Sequence, residues 1–187
     1  MKQDESRGGE NRLLESQRLV LREYGKQDIP TVWEYWNDPD VKRCLMRDVP
    51  FPIRKEDEKK WYQELGEKGY RYNFAIERKQ DRKYIGGCAI LDLSWSNRYG
   101  TIAIFLGRDY WSKGYGSEAV KILSRFMFKE MALNRVELVV LAFNRRAIRA
   151  YEKAGFVLEG ISRDRVFRDG KYCNQYYMSI LSNEFSL

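Results

Sequence analysis

Histidine is absent from this 187-residue chain. That absence removes Ser–His and Cys–His nucleophilic pairs and the commonest metal ligand, so proton transfer must fall to Tyr, Glu, Asp, Lys or water. Cysteine is scarce: Cys44, Cys88 and Cys173 are scattered and form no C-x-x-C pair. This argues against a disulfide framework and against a thiolate zinc site, and no metal is expected. No apolar run approaches the length of a membrane span. The opening Met1-Lys2-Gln3-Asp4-Glu5-Ser6 lacks the apolar core of a secretion signal. The expected location is therefore cytoplasmic, with no membrane partner.

What the chain does contain is globular material. Hydrophobic residues make up 43% and aromatics 14% of it, enough for one domain with a real core. The formal charge of +7 suits an anionic ligand, but the basic residues run along the whole chain rather than forming one arm. With no RNA-binding motif either, direct nucleic-acid binding is not expected. Residues 1–16 are polar and Gly-containing and read as a flexible N-terminal extension. Residues 17–187 then form a single domain.

Within that domain, Arg18 to Arg22 alternates like a first strand. Asp28 followed by Pro30 opens a helix through Val32, Trp33 and Trp36, which Asn37-Asp38-Pro39-Asp40 ends. A second helix is predicted from Arg54 to Leu65. Strands follow at Tyr72–Glu77, Tyr84–Leu93 and Arg98–Leu106. A helix from Gly114 to about Met131 carries Ala119, Ile122, Leu123, Phe126 and Met127 on one face and charges on the other. Arg135 to Ala142 is a fifth strand of buried type. A shorter helix from about Arg145 to Lys153 closes at Ala154-Gly155-Phe156. Val157–Phe167 and Tyr172–Leu181 form a final hairpin around Arg168-Asp169-Gly170. This is an α+β pattern: a mixed, mostly antiparallel central sheet flanked by helices.

The chemistry concentrates in Trp111-Ser112-Lys113-Gly114-Tyr115-Gly116-Ser117-Glu118-Ala119, between the fourth strand and the long helix. Gly114 and Gly116 omit Cβ atoms where the backbone must come close to something. The unpaired N–H groups of the first helical turn, with the helix dipole, favour a phosphate. A P-loop would need G-x-x-x-x-G-K-[ST], which the chain lacks. Gly114 to Ala119 does spell G-x-G-x-x-A, with Glu137 at about the downstream distance of a ribose-binding acid. Several residues separate the strand from the first Gly, however. Glu137 also falls early in its strand, and too little chain follows for a second nucleotide-binding half.

The stretch from Trp111 to Gly116 resembles the acetyl-CoA loop of GNAT-family N-acetyltransferases, [Q/R]-x-x-G-x-[G/A], with Trp at the first position. That replacement is shared with the subgroup of ribosomal-protein N-terminal and spermidine acetyltransferases. Downstream, Asn144 to Phe156 resembles the family's N-x-x-A-x-x-x-Y-x-x-x-G-F. The likeness covers roughly residues 17–182, and the two motifs occur in the family's order. It implies that the fourth and fifth strands splay apart and that acetyl-CoA, as co-substrate, adds into the gap like a strand. Backbone groups of Ile104, Phe105 and Leu106 would pair with the pantetheine arm. Backbone N–H groups of Ser112, Lys113, Gly114, Tyr115, Gly116 and Ser117 would hold the pyrophosphate, with support from Asn144. Tyr151 would protonate the departing thiolate.

The resemblance leaves the base open. Many relatives carry a Glu on the fourth strand where this chain has Thr101. Deprotonating a lysine-like amine of pKa ~10.4 at pH 7 costs about 4.6 kcal/mol, against about 1.4 for an α-amine of pKa ~8. An α-amine, or transfer through a water chain, tolerates a missing base best. Asp92, at the end of the third strand, is the remaining carboxylate, placed as an acceptor-binding acid or as a turn-initiating Asp. Trp33, Tyr35 and Trp36 are candidates to line the acceptor pocket or to fill the core, and Arg108, Lys113, Arg145, Arg146 and Lys153 to meet the phosphates. The expected activity is acetyl transfer to a primary amine: a protein N-terminus, a polyamine or another small amine. A catalytically silent acyl-CoA-binding module is the alternative, and a homodimer is compatible with the resemblance.

Overall fold

The computed structural model describes residues 14–45, 49–65 and 72–186. Seven strands form one sheet: β1 (Leu19–Arg22), β2 (Asn73–Arg78), β3 (Lys83–Ser94), β4 (Tyr99–Leu106), β5 (Arg135–Leu141), β6 (Val157–Arg168) and β7 (Lys171–Leu181). Their spatial order is β1-β2-β3-β4-β5-β7-β6. Every neighbouring pair is antiparallel except β4 and β5, which run parallel. Among the described residues the α-helices are α1 (Ile29–Asn37), α2 (Pro39–Leu45), α3 (Lys55–Glu64), α4 (Tyr115–Lys129) and α5 (Arg145–Lys153).

The long helix follows from its pattern. Ala119, Val120, Ile122, Leu123 and Met127 are almost fully buried at helical spacing, and each large side chain of this kind contributes ~1.5–3 kcal/mol on burial. They close over Leu19 and Leu21 of β1, Ile102 of β4, Val136 and Leu138 of β5, and Met178 and Ile180 of β7. A smaller cluster joins Val32 of α1 to Ala75 and Tyr84, with Tyr24, Tyr35, Trp36, Trp61 and Phe105 packed around it.

One local reading changes. The Asn37–Asp40 stretch does end α1, but it also starts α2. Asp38 Oδ1 accepts from the N–H groups of Asp40 and Val41 at 2.8 and 3.1 Å, and Pro39 occupies the first helical position, where no N–H is needed. Asp-Pro is here a start signal as well as a stop. At the other end of the reading, residues 1–13 of the expected extension lie outside the described residues, while residues 14–16 are tied down. Ser16 Oγ donates to Glu118 Oε1 at 2.5 Å, and the Arg125 guanidinium donates to the Glu15 carbonyl at 2.5 Å. The final hairpin turns at Asp169 and Gly170 with φ of 51° and 73°, the paired positive values that Asp-Gly supplies in a two-residue turn.

Candidate active site

β4 and β5 form a fork. They pair only at Tyr99↔Arg135, Gly100↔Val136 and Thr101↔Glu137, yet β4 continues to Leu106 and β5 to Leu141. Beyond Thr101 and Glu137 the facing edges are unpaired with each other, and backbone polar groups in that position need partners. β5 keeps its register with β7 as far as Leu141↔Gln175, and β4 keeps its register with β3 as far as Leu106↔Gly86. The gap is thus held open between two well-paired half-sheets. It opens into a cavity of about 690 Å³.

The wide end of the fork leads to α4. Ser112 and Gly114 both adopt left-handed backbone conformations, with φ of 59° and 83°. Gly114 takes its at little cost. The Trp111 indole N–H donates to the Leu106 carbonyl at 2.8 Å, fixing the loop to the end of β4. Arg18 fastens it from outside: its guanidinium donates to the Lys113 carbonyl at 3.1 Å, pairs with Glu118 at 2.5 Å and lies over the Tyr115 ring. A Cβ added at Gly116 would meet only Leu106 Cδ1 at 3.8 Å and Ala150 Cβ at 3.9 Å. Protein packing therefore leaves room for a side chain there, and a backbone-held ligand is what would take that space. Five residues of β4 at ~3.4 Å each separate this end from Thr101 by roughly 17 Å.

α5 forms one wall of the cavity, and its ends explain the second motif. Asn144 is the N-cap: its Oδ1 accepts from the Ala147 N–H at 3.2 Å. At the C-terminus, Gly155 has φ 98°, and its N–H donates to the Glu152 carbonyl at 3.0 Å. The Phe156 N–H donates to the Tyr151 carbonyl, also at 3.0 Å, and the two rings pack 6.2 Å apart. This is the Schellman arrangement, with its accompanying apolar contact. The spacing Y-x-x-x-G-F thus has a mechanical meaning: the Gly-Phe pair anchors Tyr151 through backbone and ring alike. Tyr151 is buried, and burial, with Cys44 as a lesser neighbour, pushes its phenol up to about 12. It therefore stays protonated around neutrality, the form a proton donor needs.

Of the residues singled out in the sequence, Asp92, Ile104, Phe105, Leu106, Ser112, Gly114, Gly116, Ser117, Asn144 and Tyr151 all border this one cavity. Lys113 and Tyr115 do not; Tyr115 is buried beneath Arg18. The Leu106 carbonyl accepts from the Trp111 indole and keeps a second lone pair. Trp33, Tyr35 and Trp36 do not line the cavity either. The Trp33 indole donates to the Ile53 carbonyl, Tyr35 stacks on Tyr84, and Trp36 meets Phe105 edge-on.

Among the candidate cations, Arg108 pairs with Asp40 at 2.9 Å, while Arg146 and Lys153 line the cavity. Arg149, which the sequence reading did not select, lines it too. The Arg146 guanidinium stacks 3.4 Å from the Trp111 ring centroid, and burial lowers its pKa. The sequence reading also missed α2, which brings Val41, Cys44 and Leu45 to the cavity. Burial raises the Cys44 thiol above its ordinary value.

On the side of the fork where β4 and β5 still pair, polar side chains gather. Thr101 Oγ1 donates to Glu137 Oε1 at 3.3 Å. Arg135 Nε donates to Glu137 Oε2 at 2.8 Å, and its terminal nitrogens grip the Glu159 carboxylate. That guanidinium holds Glu159 at about 2. Asp92 and Tyr177 complete this margin of the cavity. Among the described residues no His, Cys, Asp and Glu group is arranged to hold a metal ion, and no helix is long and apolar enough to cross a membrane.

Comparison with known proteins agrees with this geometry. Residues 18–157 match the family model of the acetyltransferase (GNAT) domain. An uncharacterized N-acetyltransferase, p20 of Bacillus licheniformis, is 31% identical over 175 residues, covering 92% of this chain and 98% of the relative. Spermidine N(1)-acetyltransferase of Escherichia coli strain K12 is 24% identical, covering 89% and 88%. Among solved structures, spermidine N-acetyltransferase from Vibrio cholerae, in complex with CoA and spermine, superposes with a TM-score of 0.81. Its sequence identity is 21%, over 90% of this chain and 98% of that one.

Proposed function

This chain belongs to the GNAT acetyltransferase family, whose co-substrate is acetyl-CoA, and from that premise we propose that it acetylates a primary amine by direct attack in a ternary complex. The observation that carries the reading is the fork: unpaired β4 and β5 edges, the N-terminus of α4 at the wide end, and Tyr151 on the wall of the same cavity. Ile104, Phe105 and Leu106 of the unpaired β4 edge would lie along the pantetheine arm. The N–H groups around Gly114 and Gly116 would take the pyrophosphate, with Arg146, Arg149 and Lys153 supplying positive charge nearby. Tyr151 would give its proton to the sulfur as the thioester breaks.

The acceptor would enter over the margin of Asp92, Thr101, Glu137, Glu159 and Tyr177. There, two carboxylates share one guanidinium and a third, Asp92, borders the same cavity, a local excess of negative charge that would favour a cation despite the net positive charge of the chain. Protein N-terminal amines, polyamines and other small amines all fit that field. The likeness to spermidine acetyltransferases supports trying polyamines first.

The test is acetyl-CoA-dependent thiol release over a panel of N-terminal peptides, polyamines and aminoglycosides, with Tyr151→Phe alongside. One responding class is expected, with kcat falling about 100-fold in the variant and acetyl-CoA affinity nearly unchanged. Undiminished turnover would remove Tyr151 from the chemistry. Tight acetyl-CoA binding with no thiol release to any amine would leave a silent acyl-CoA-binding module instead.

A further inference from the structure

We propose that the base of this active site is Glu137 on β5, reached through the Thr101 hydroxyl on β4. The inference rests on the acetyl-transfer reading and deepens it. Thr101 stands where the family resemblance expects a carboxylate, and a hydroxyl alone is too weak a base for an amine. The register supplies what the position lacks. Thr101↔Glu137 is the last pair before the strands part, so both side chains leave the sheet on the same face, at the apex of the fork. Thr101 Oγ1 donates to Glu137 Oε1 at 3.3 Å. The carboxylate has been moved one strand sideways and connected back by the hydroxyl.

Its surroundings suit that role. Glu137 is about one-third exposed, at 33%, so a proton it takes can leave to water. Arg135 Nε occupies Oε2 at 2.8 Å and leaves Oε1 as the oxygen facing Thr101. The same guanidinium is held from its far side by Glu159 of β6, so it is shared between two carboxylates rather than committed to Glu137 alone. Ser179 of β7 lies opposite Glu137 in register, and Asp92 of β3 and Tyr177 of β7 border the same cavity. In the step, the amine lone pair forms the bond to the thioester carbonyl carbon. One N–H proton passes to Thr101 Oγ1 while the Thr101 proton passes to Glu137 Oε1. The C–S bond breaks with its electrons on sulfur, which takes the Tyr151 proton. Glu137 then releases its proton to solvent, and Tyr151 regains one from it.

The experiment measures kcat, both KM values and the pH profile for the full chain, Glu137→Gln, Thr101→Val and the exchanged pair Thr101→Glu with Glu137→Thr. The amine is the best of the panel. Glu137→Gln should lower kcat about 100-fold and leave the acetyl-CoA KM unchanged. Its rate should also keep climbing with pH where the unaltered protein has levelled off, because the N–H proton must then pass to base from solvent. Thr101→Val should show the same change of profile with a smaller loss. The exchanged pair should recover most of the rate and the plateau, which a merely structural role for the ion pair would not do.

An unchanged kcat and pH profile in Glu137→Gln would overturn the relay while acetyl transfer stood. So would an exchanged pair that folds yet keeps the profile of Glu137→Gln. Failure of the unaltered protein to acetylate any amine, with acetyl-CoA bound, would overturn the acetyl-transfer reading and the relay with it.

Discussion

The two ends of the fork are built from different materials. The wide end, where β4 gives way to α4, works through backbone: unpaired strand edges, two left-handed residues, and a helix terminus stripped of side chains at Gly114 and Gly116. The closed end works through side chains: Thr101, Glu137, Arg135, Glu159 and Asp92, drawn from β3, β4, β5 and β6. Backbone groups are the same in every protein, so a site made of them demands particular absences and leaves a recognisable motif. A site made of side chains across strands can be rearranged residue by residue and leaves none. Under the proposed function this is a division of labour, in which one end would read a common co-substrate and the other would choose its acceptor.

The sharpest way to break that division is at Gly116. Because an added Cβ would meet neighbours only at 3.8 and 3.9 Å, Gly116→Ala should fold normally. Its helix gains up to ~1 kcal/mol in propensity. The variant should nevertheless raise the acetyl-CoA KM by about 100-fold, the upper end for losing a hydrogen bond to a charged group, and leave the acceptor KM alone. Titration calorimetry with CoA, beside thermal melting, separates the two effects. An unaltered CoA affinity would mean that the backbone does not approach the ligand at that residue.

A smaller effect, of opposite selectivity, is expected at Asp92. The side chain is exposed on the acceptor margin, so Asp92→Asn should raise the acceptor KM roughly tenfold, the low end for a charged hydrogen bond. The acetyl-CoA KM should not move. Initial rates with either substrate varied decide it, and an unchanged acceptor KM would leave Asp92 as a turn residue only.

Remote from both ends, Glu58 of α3 should affect neither KM. Burial pushes its carboxyl up to about 7. The folded chain therefore holds this proton more tightly than the unfolded chain does. Stability is fully present below about pH 4.5, falls as the pH rises toward 7, and levels off above that. Glu58→Gln should remove this slope and raise stability at pH 8 by about 1–3 kcal/mol, with no gain at pH 4. Denaturant titrations at the two pH values would show it; equal effects at both would contradict the assignment.

The same contrast explains how much could be read in advance. The strands, the long helix and the Schellman end of α5 follow from periodicity, Gly155 and the Asp169-Gly170 turn, all local signals. The cradle residues were legible because Gly114 and Gly116 lie two positions apart in the chain. The Thr101–Glu137 contact was not, because 36 residues separate the partners and only strand register joins them. Read along the chain, Glu137 looked like a decoy for a ribose-binding acid. Likewise α2 hid behind Asp38-Pro39, a pair that stops one helix and caps the next. The aromatic residues of α1 match a pocket lining and a core equally well in one dimension; packing set Tyr35 and Trp36 against the smaller core cluster and left Trp33 half-buried beside Ile53 and Lys55.

Direct attack in a ternary complex is the claim on which the whole account turns, and Cys44 offers a rival route, since its thiol borders the cavity beside Tyr151 and Arg146. The most direct measurement is a matrix of initial rates with acetyl-CoA and the amine both varied, joined to intact-mass analysis of the protein after acetyl-CoA alone. Intersecting lines and an unmodified chain are predicted. Parallel lines, with an acetyl group found on Cys44, would contradict direct attack and make the thiol a covalent carrier.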